Sequence, residues 1–261
     1  MLELWTSEPN TFFLKPLIAL HEKRAAFTAR WMDTDALAHF SVDHGGETEA
    51  TLHLEREGPL LNHDGTWISG SSFMLEYLAE VLPGEDLLPS GAIDRYEAHA
   101  SAQFLGAHLG ALVPILGCVK YLAPRLAAHD RADLERRLLT VQPLERRNSW
   151  LALIDGTYTP QILATARERL KHPVARVESR LARAEWLAGP RYSIADIDAF
   201  AMLRVIPDLA PELVNAAATP RLCAWLARIE SRPAVAAALA TTRSGNPAQH
   251  FVPGVEPSRW G

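Results

Sequence analysis

The chain has 261 residues, which is enough for one large domain or two modest domains, each with its own hydrophobic core. Apolar residues make up 48% of the sequence, as in soluble globular proteins, and the formal net charge of -5 argues against nucleic acid as a partner. Two cysteines, Cys118 and Cys223, argue against a disulfide framework and fit a reducing cytoplasm. We expect neither a signal peptide nor a transmembrane helix, because the start of the chain lacks a basic and an apolar segment and no apolar run approaches about 18 residues.

The first third of the chain alternates between strand and helix patterns. Residues 2–5 read as a strand, residues 11–23 carry apolar side chains at helical spacing, and residues 26–33 read as a second strand. This order predicts two parallel strands joined by a right-handed crossover. Residues 34–57 show no clean period, and we predict a short helix and an irregular loop there.

A hairpin and a helix complete this first domain. Residues 59–62 and 66–69 are short apolar segments on either side of the turn sequence HDG, and a helix is predicted over 71–81. The resulting order, β-α-β-loop-β-β-α, predicts a thioredoxin-like domain over residues 1–82. Residues 83–91 are rich in Pro, Gly and acidic residues and read as a linker.

The remainder of the chain is predicted to be helical. Residues 92–245 form an all-α domain in this interpretation, and Pro114 is expected to kink its first long helix. Residues 246–261 are rich in Gly, Pro and Ser and are predicted to lie as an extended tail over the body. The predicted fold class is therefore α/β followed by an all-α helical bundle.

Three segments carry a family resemblance. GPLLNHDGTWISGSSFMLEYLAEVLP resembles the VPxLxHDGxxLxESxxIxEYLxExxP segment of the glutathione transferase superfamily, GPRYSIADIDAF resembles its SxADI segment, and ATPRLCAWLARIESRPAVAAAL resembles its C-terminal PxLxxWxxRxxxRPAVxxAL pattern. Within the superfamily, the LKPLIALHEK helix, the RRNSWLALIDG region and the overall length resemble the bacterial β-etherases. Those enzymes use glutathione to cleave the β-aryl ether bond of lignin-derived dimers.

The resemblance implies that glutathione is a co-substrate and assigns residues to its binding. Pro59 and Leu60 begin the strand that would hold the cysteinyl part, and the bond before Pro59 is expected to be cis, where an alternative is a simple turn proline. Ser71 at the start of the following helix would hold the γ-glutamyl carboxylate, because a helix N-terminus attracts anions. Gly70 stands where the family has the glutamate that pairs with the glutathione ammonium, so this site is eroded. Alternatively, Ser71 serves only as an N-cap.

The residue that activates the thiol is also changed. The family places a Ser or Asn just before the LKP stretch, and this chain has Phe13, which cannot donate a hydrogen bond. Asn10 and Thr11 lie on the same loop and are the candidates to lower the thiol pKa, because the thiolate is the nucleophile. The alternative is that Asn10 or Thr11 caps the helix that follows.

Other candidates have structural alternatives. Ser193 and Asp196 have the spacing of a capping box, which predicts a folding element rather than a catalytic one. Phe104, Tyr121 and Trp150 can line a hydrophobic acceptor pocket, although core packing is the more frequent role of each such residue. The histidines and cysteines show no metal-ligand spacing, so no metal is predicted.

Two functional hypotheses follow. In the first, the protein is a cytoplasmic glutathione-dependent β-etherase, or a subunit of one, that acts on an aromatic small molecule. In the second, it is a non-catalytic subunit of the same fold that stabilises an active relative. Both hypotheses imply a homodimer or a heterodimer of related chains, and neither involves a membrane.

Overall fold

The computed structural model describes residues 1–34, 37, 58–139, 141 and 144–254. The short helix and loop predicted over 34–57 lie almost entirely outside these described residues. Element labels below number the described strands and helices in chain order.

The N-terminal part is a four-stranded sheet flanked by helices. Its elements are β1 (Leu2–Thr6), α1 (Thr11–Glu22), β2 (Thr28–Trp31), β3 (Leu60–His63), β4 (Thr66–Ser69) and α2 (Ser71–Val81). The strand order is β2-β1-β3-β4, in which β1 and β2 are parallel and the other two pairs are antiparallel. The predicted parallel pair, hairpin and following helix are therefore confirmed.

The C-terminal part is helical, as predicted. Its helices are α3 (Ala92–Gly117), α4 (Ala123–Leu126), α5 (Arg131–Leu138), α6 (Leu144–Ile154), α7 (Pro160–Leu181), α8 (Ile194–Leu203), α9 (Ile206–Leu209), α10 (Pro220–Glu230) and α11 (Pro233–Leu239). A π-helical segment, Cys118–Leu122, joins α3 to α4. It begins four residues after Pro114, which lies inside α3. Such π-helical segments accompany disturbed hydrogen-bond ladders and occur often at functional sites.

Helix α8 is the central helix of the protein, and every one of its residues is buried. Its predicted capping box is confirmed: the Ser193 hydroxyl accepts from the amide of Ala195 at 3.3 Å, and the Asp196 carboxylate accepts from the amide of Ser193 at 3.1 Å. Asp196 also accepts from the indole N–H of Trp225 at 3.0 Å. Asp196 thus anchors α10 as well as the start of α8.

Helix α1 connects the two parts. It packs against α2 on the sheet side and against α8 and α11 of the helical part. Its residues Leu14, Leu17 and Ile18 are fully buried in this contact. The loop that precedes α1 is therefore held at the junction between the sheet and the helices.

The continuous helical segment Ala92–Leu126 is long and apolar enough, by length and composition, to cross a membrane. However, 61% of its apolar window is buried inside the protein. This is the pattern of a core helix in a folded domain, and it is weak evidence for a membrane span.

Candidate functional site

The N-terminus of α2 is open. Gly70 occupies the N-cap position and Ser71 is the first residue of the helix, so the alternative that Ser71 itself is the N-cap is wrong. No side chain caps this end, and the half-buried Ser71 hydroxyl has no hydrogen bond to any part of the chain that the structure describes. The first amide N–H groups of a helix need partners, so this end can accept an anion.

The backbone at Gly70 would strain a side chain placed at this position. Gly70 has a φ of 78°, which side-chain-bearing residues rarely adopt. A Cβ atom there would lie 2.9 Å from the ring of Phe73. Because Phe73 is 75% exposed, its ring has room to shift, so the main obstacle to a side chain at residue 70 is the backbone angle.

The second wall of the site begins at Pro59. The Gly58–Pro59 peptide bond is cis, as the resemblance implied. Leu60 follows in β3, where it is 1% exposed and pairs with Trp5 and Ser69. Its side chain is therefore part of the core, and its backbone pairs with the two neighbouring strands of the sheet.

Asn10 is fully engaged within the protein. Its side-chain N–H donates to the carbonyl of His250 at 2.7 Å, and its amide oxygen accepts from the guanidinium of Arg204 at 3.1 Å. Asn10 is 1% exposed, and its side chain does not cap α1. Asn10 thus occupies the N-cap position of α1 without a capping hydrogen bond, and its side chain ties the β1–α1 loop to the C-terminal tail.

Thr11 is as buried as Asn10, at 2% exposure, but it differs from Asn10 in two respects. Its hydroxyl makes no hydrogen bond to any described residue, and its φ of 40° lies in the left-handed region, which is costly for a β-branched residue. Strained residues of this kind cluster at functional sites. Of the two predicted thiol activators, Thr11 is the one whose donor remains uncommitted.

A buried ionic cluster beside α2 was missed by the sequence interpretation. The ammonium of Lys15 lies 2.8 Å from the carboxylate of Asp198, and both contact the hydroxyl of Ser72, at 3.1 and 2.5 Å. Both charged side chains are nearly inaccessible, at 5% and 6% exposure. This cluster fixes α1, α2 and α8 to one another one residue from Ser71. No spacing in the sequence signals it, because Ser72 and Asp198 are 126 residues apart.

A groove of about 550 Å³ opens next to this cluster, between α2, α3 and α8. Ser72 and Asp198 line this groove, and its apolar lining includes Phe73 and Ile194. Its size is sufficient for a drug-sized molecule. Among the residues that the structure describes, no group of three or more His, Cys, Asp or Glu side chains could hold a metal ion.

The three aromatic candidates for an acceptor pocket have different environments. Trp150 is fully buried and belongs to the core. Phe104 packs against His108 and His172 between α3 and α7. Tyr121 lies in the π-helical segment, donates to the carboxylate of Asp208 at 2.6 Å and stacks on Phe251 of the tail. Burial and the Asp208 hydrogen bond raise the pKa of Tyr121.

Comparison with known proteins gives a consistent result. Residues 141–233 match the family "Glutathione S-transferase, C-terminal domain". Protein LigF of Sphingobium sp. (strain NBRC 103272 / SYK-6) is 27% identical over 242 residues, which are 90% of this chain and 91% of LigF. The crystal structure of the β-etherase LigF from Sphingobium sp. strain SYK-6 superposes with a TM-score of 0.83 at 26% identity, covering 92% of this chain and 99% of LigF.

A solved structure with a lower TM-score contains glutathione. A sphingomonad glutathione S-transferase solved as a complex with glutathione is 26% identical and has a TM-score of 0.62, covering 92% of this chain and 98% of the other. Together with the sheet topology and the helical domain, these similarities identify the chain as a protein of the glutathione S-transferase fold that carries the C-terminal domain of that family and resembles the β-etherase LigF over most of its length.

Proposed function

We propose that this protein is a glutathione transferase that cleaves β-aryl ethers of lignin-derived aromatic ketones. The similarity to LigF along nine-tenths of the chain supports this reaction class. The observation that carries the proposal is the open N-terminus of α2, because a self-sufficient transferase must hold the glutathione anion itself. In this proposal residues 1–82 hold glutathione and residues 92–245 supply the acceptor site.

Glutathione binding uses the two walls of the site. The γ-glutamyl carboxylate accepts hydrogen bonds from the Ser71 hydroxyl and the first amides of α2, where the helix dipole favours negative charge. The cysteinyl part lies along the backbone at Gly58, Pro59 and Leu60. The glutathione ammonium has no acid at residue 70 to pair with, so its binding is weaker than in relatives that have one.

The reaction is a displacement at carbon. The glutathione sulfur, held as thiolate by the hydroxyl of Thr11, attacks the carbon that bears the aryloxy group. A carbon–sulfur bond forms and the carbon–oxygen bond breaks, with its electron pair leaving on the phenolate. The phenolate then takes a proton from water, so the net products are a thioether and a phenol. The protein contributes orientation and thiolate stabilisation.

The protein acts as a dimer in this proposal. Phe73 at the start of α2 and Ile93 and Tyr96 at the start of α3 are 75%, 71% and 69% exposed in the single chain. Large exposed apolar side chains favour a protein contact. The reported comparisons give no support to the alternative of a non-catalytic subunit. We place the enzyme in the cytoplasm.

The proposal is tested with the purified chain, glutathione and 2-phenoxyacetophenone. We expect phenol and the glutathionyl thioether in equal amounts, detected by mass spectrometry. Ser71→Ala should raise the KM for glutathione by about ten-fold, the effect of one hydrogen bond to a charged group. Ser179→Ala, an exposed serine on α7, is the matched control. If the homogeneous protein makes no thioether and glutathione does not raise its melting temperature, the proposal is wrong.

A further inference from the structure

The C-terminal segment of residues 246–254, here called the strap, lies across the loop that carries the candidate thiol activators. Asn10 donates to the carbonyl of His250. Arg125 donates to the carbonyl of Gln249 at 3.1 Å, and Arg146 donates to the carbonyl of Pro253 at 2.5 Å. These anchors all bind backbone oxygens.

The strap is tied down at its base by a different residue. The buried carboxylate of Glu8 accepts from the amides of Arg243 and Ser244, at 3.0 and 2.8 Å, and from the hydroxyl of Thr242 at 2.5 Å. The base thus stays on the β1–α1 loop when the strap beyond it moves. Any movement of the strap is local and keeps it beside the candidate active site.

Phe251 is the centre of the strap. It is 3% exposed, and its ring stacks nearly parallel to the ring of Tyr121, with an angle of 4° and a centroid distance of 6.2 Å. The other edge of the ring rests on α3 at Gly117, where a Cβ atom would lie 2.4 Å from ring atoms. The ring therefore fills a flat slot between Tyr121 and a helix position that has no side chain.

This slot lies next, along the strap, to the contact with the loop that carries the candidate thiol activators. Phe251 directly follows His250, whose carbonyl touches Asn10 beside Thr11. The cavity that borders the strap, between Pro114, Cys118, Tyr158 and Pro253, has a volume of only about 10 Å³. That space holds about one water molecule, so it cannot admit an aromatic ring while the strap is in place.

We propose that Phe251 is an internal occupant of the acceptor's aromatic-ring site and that an aryl ligand binds by replacing it against Tyr121. The free energies with Phe251 or with the ligand ring in the slot are similar. The incoming ring buries apolar surface and stacks on Tyr121 as Phe251 does. The ligand class is a flat, unfused aryl group. This inference rests on the proposed function for the identity of the acceptor, but the slot itself is tested by binding without glutathione.

The first test measures binding of 2-phenoxyacetophenone by calorimetry in the absence of glutathione. Phe251→Ala should bind it about ten-fold more tightly than the wild type, because removal of an internal competitor raises the competent fraction. Val252→Ala, a change at the neighbouring buried strap residue, is the matched control and should change the affinity less than about two-fold. Unchanged or weaker binding by a folded Phe251→Ala protein overturns the proposal. The dicyclohexyl analogue of the ligand, which is not planar, should gain nothing.

The second test uses helix glycines and does not depend on the stability of Phe251→Ala. Gly117→Ala places a methyl group where the ring rests, so chymotrypsin should cleave after Phe251 faster, while ligand affinity does not improve because the methyl group also occupies the slot. Gly106→Ala is the control, because Gly106 lies in the same helix and a Cβ atom there meets nothing within 4 Å. The ligand itself should speed cleavage of the wild type after Phe251. Protection from cleavage by the ligand would mean that it binds over the strap, which contradicts the proposal.

The two proposals fail in distinguishable ways. Absence of thioether with normal ligand-driven release of Phe251 would refute the ether-cleaving function and leave the aryl slot in place. Thioether formation with an immobile Phe251 would refute the slot and leave the function in place.

Discussion

The terminal methyl group of Met32 lies where a side chain on Gly58 would begin, and the ring of Phe13 lies beside it. A Cβ atom built on Gly58 would be 3.1 Å from Cε1 of Phe13 and 2.3 Å from Cε of Met32. Phe13 and Gly58 both depart from the family pattern, which has a hydrogen-bond donor at the position of Phe13 and a valine at the position of Gly58. The Phe13 ring is in tight contact with the position of a residue-58 side chain, and the methyl group of Met32 overlaps that position.

Gly58→Val should therefore destabilise the protein strongly. The φ of 58° is unfavourable for a β-branched residue, and the clash with Met32 adds overpacking, so we expect a loss of about 2–4 kcal/mol in the free energy of unfolding. Chemical denaturation measures it. Gly65→Val is the matched control, because its φ is 90° but a Cβ atom there has no neighbour within 4 Å. An equal loss in both variants would show that the contact with Phe13 and Met32 is unimportant.

We expect Asn10 to stabilise the fold and Thr11 to take part in catalysis. Asn10→Ala breaks two buried hydrogen bonds and should lower the free energy of unfolding by about 1–3 kcal/mol. Thr11→Ala should lower kcat by about ten-fold or more, since a hydrogen bond to the thiolate is lost. Thr11→Ser should retain activity. The reverse assignment would follow if Asn10→Ala abolished turnover in a protein that kept its melting temperature.

Gly70→Glu should restore affinity for glutathione. The added carboxylate can pair with the glutathione ammonium, which corresponds to a gain of about ten-fold in Kd. The positive φ should cost about 1–3 kcal/mol of stability. Gly70→Gln has the same backbone strain without the charge, so the difference in Kd between these two variants, measured by calorimetry, isolates the ion pair. Equal Kd values would show that the ammonium binds elsewhere.

Asp196 should make stability depend on pH between about 4 and 6. Burial raises the pKa of this carboxyl to about 6, although its hydrogen bonds to Trp225, Leu187 and Ser193 oppose the shift. The protonated form is thus favoured by folding. Its contribution to the free energy of unfolding is fully present below pH 3.8, the ordinary value, and is lost as pH rises through about 6. A change of this size in pKa corresponds to about 3 kcal/mol.

Asp196→Asn gives the corresponding measurement. The difference in unfolding free energy between the wild type and this variant should shrink as pH rises from about 4 to about 6 and then stay constant. Denaturant titrations at several pH values provide it. A difference that does not vary over this range would show that Asp196 is ionised throughout.

The parts of the fold that follow local rules were predictable from the sequence. Ser193 and Asp196 are three residues apart, so their capping box is visible in the letters, and so are the hairpin at HDG and the helix that begins at Ser71. The cis bond before Pro59 was inferred from the family resemblance rather than from the residues themselves. The domain boundaries at residues 82, 91 and 245 remain predictions.

The contacts that decide the candidate site were not predictable, because they join distant parts of the chain. Asn10 meets His250 across 240 residues, and Lys15 meets Asp198 through a cluster that contains Ser72. Neither pair has a local spacing rule. The tail was predicted to lie over the body, but the placement of Phe251 against Gly117 depends on tertiary packing.

The measurement that tests the account most directly is the ultraviolet absorbance of the glutathione thiolate when glutathione is bound to this chain alone. We predict that the thiol pKa of bound glutathione lies below that of the free tripeptide, and that Thr11→Ala, but not Thr11→Ser, returns it to the free value. An unshifted thiol pKa in the wild-type protein at saturating glutathione would contradict the claim that this chain activates glutathione in its own site.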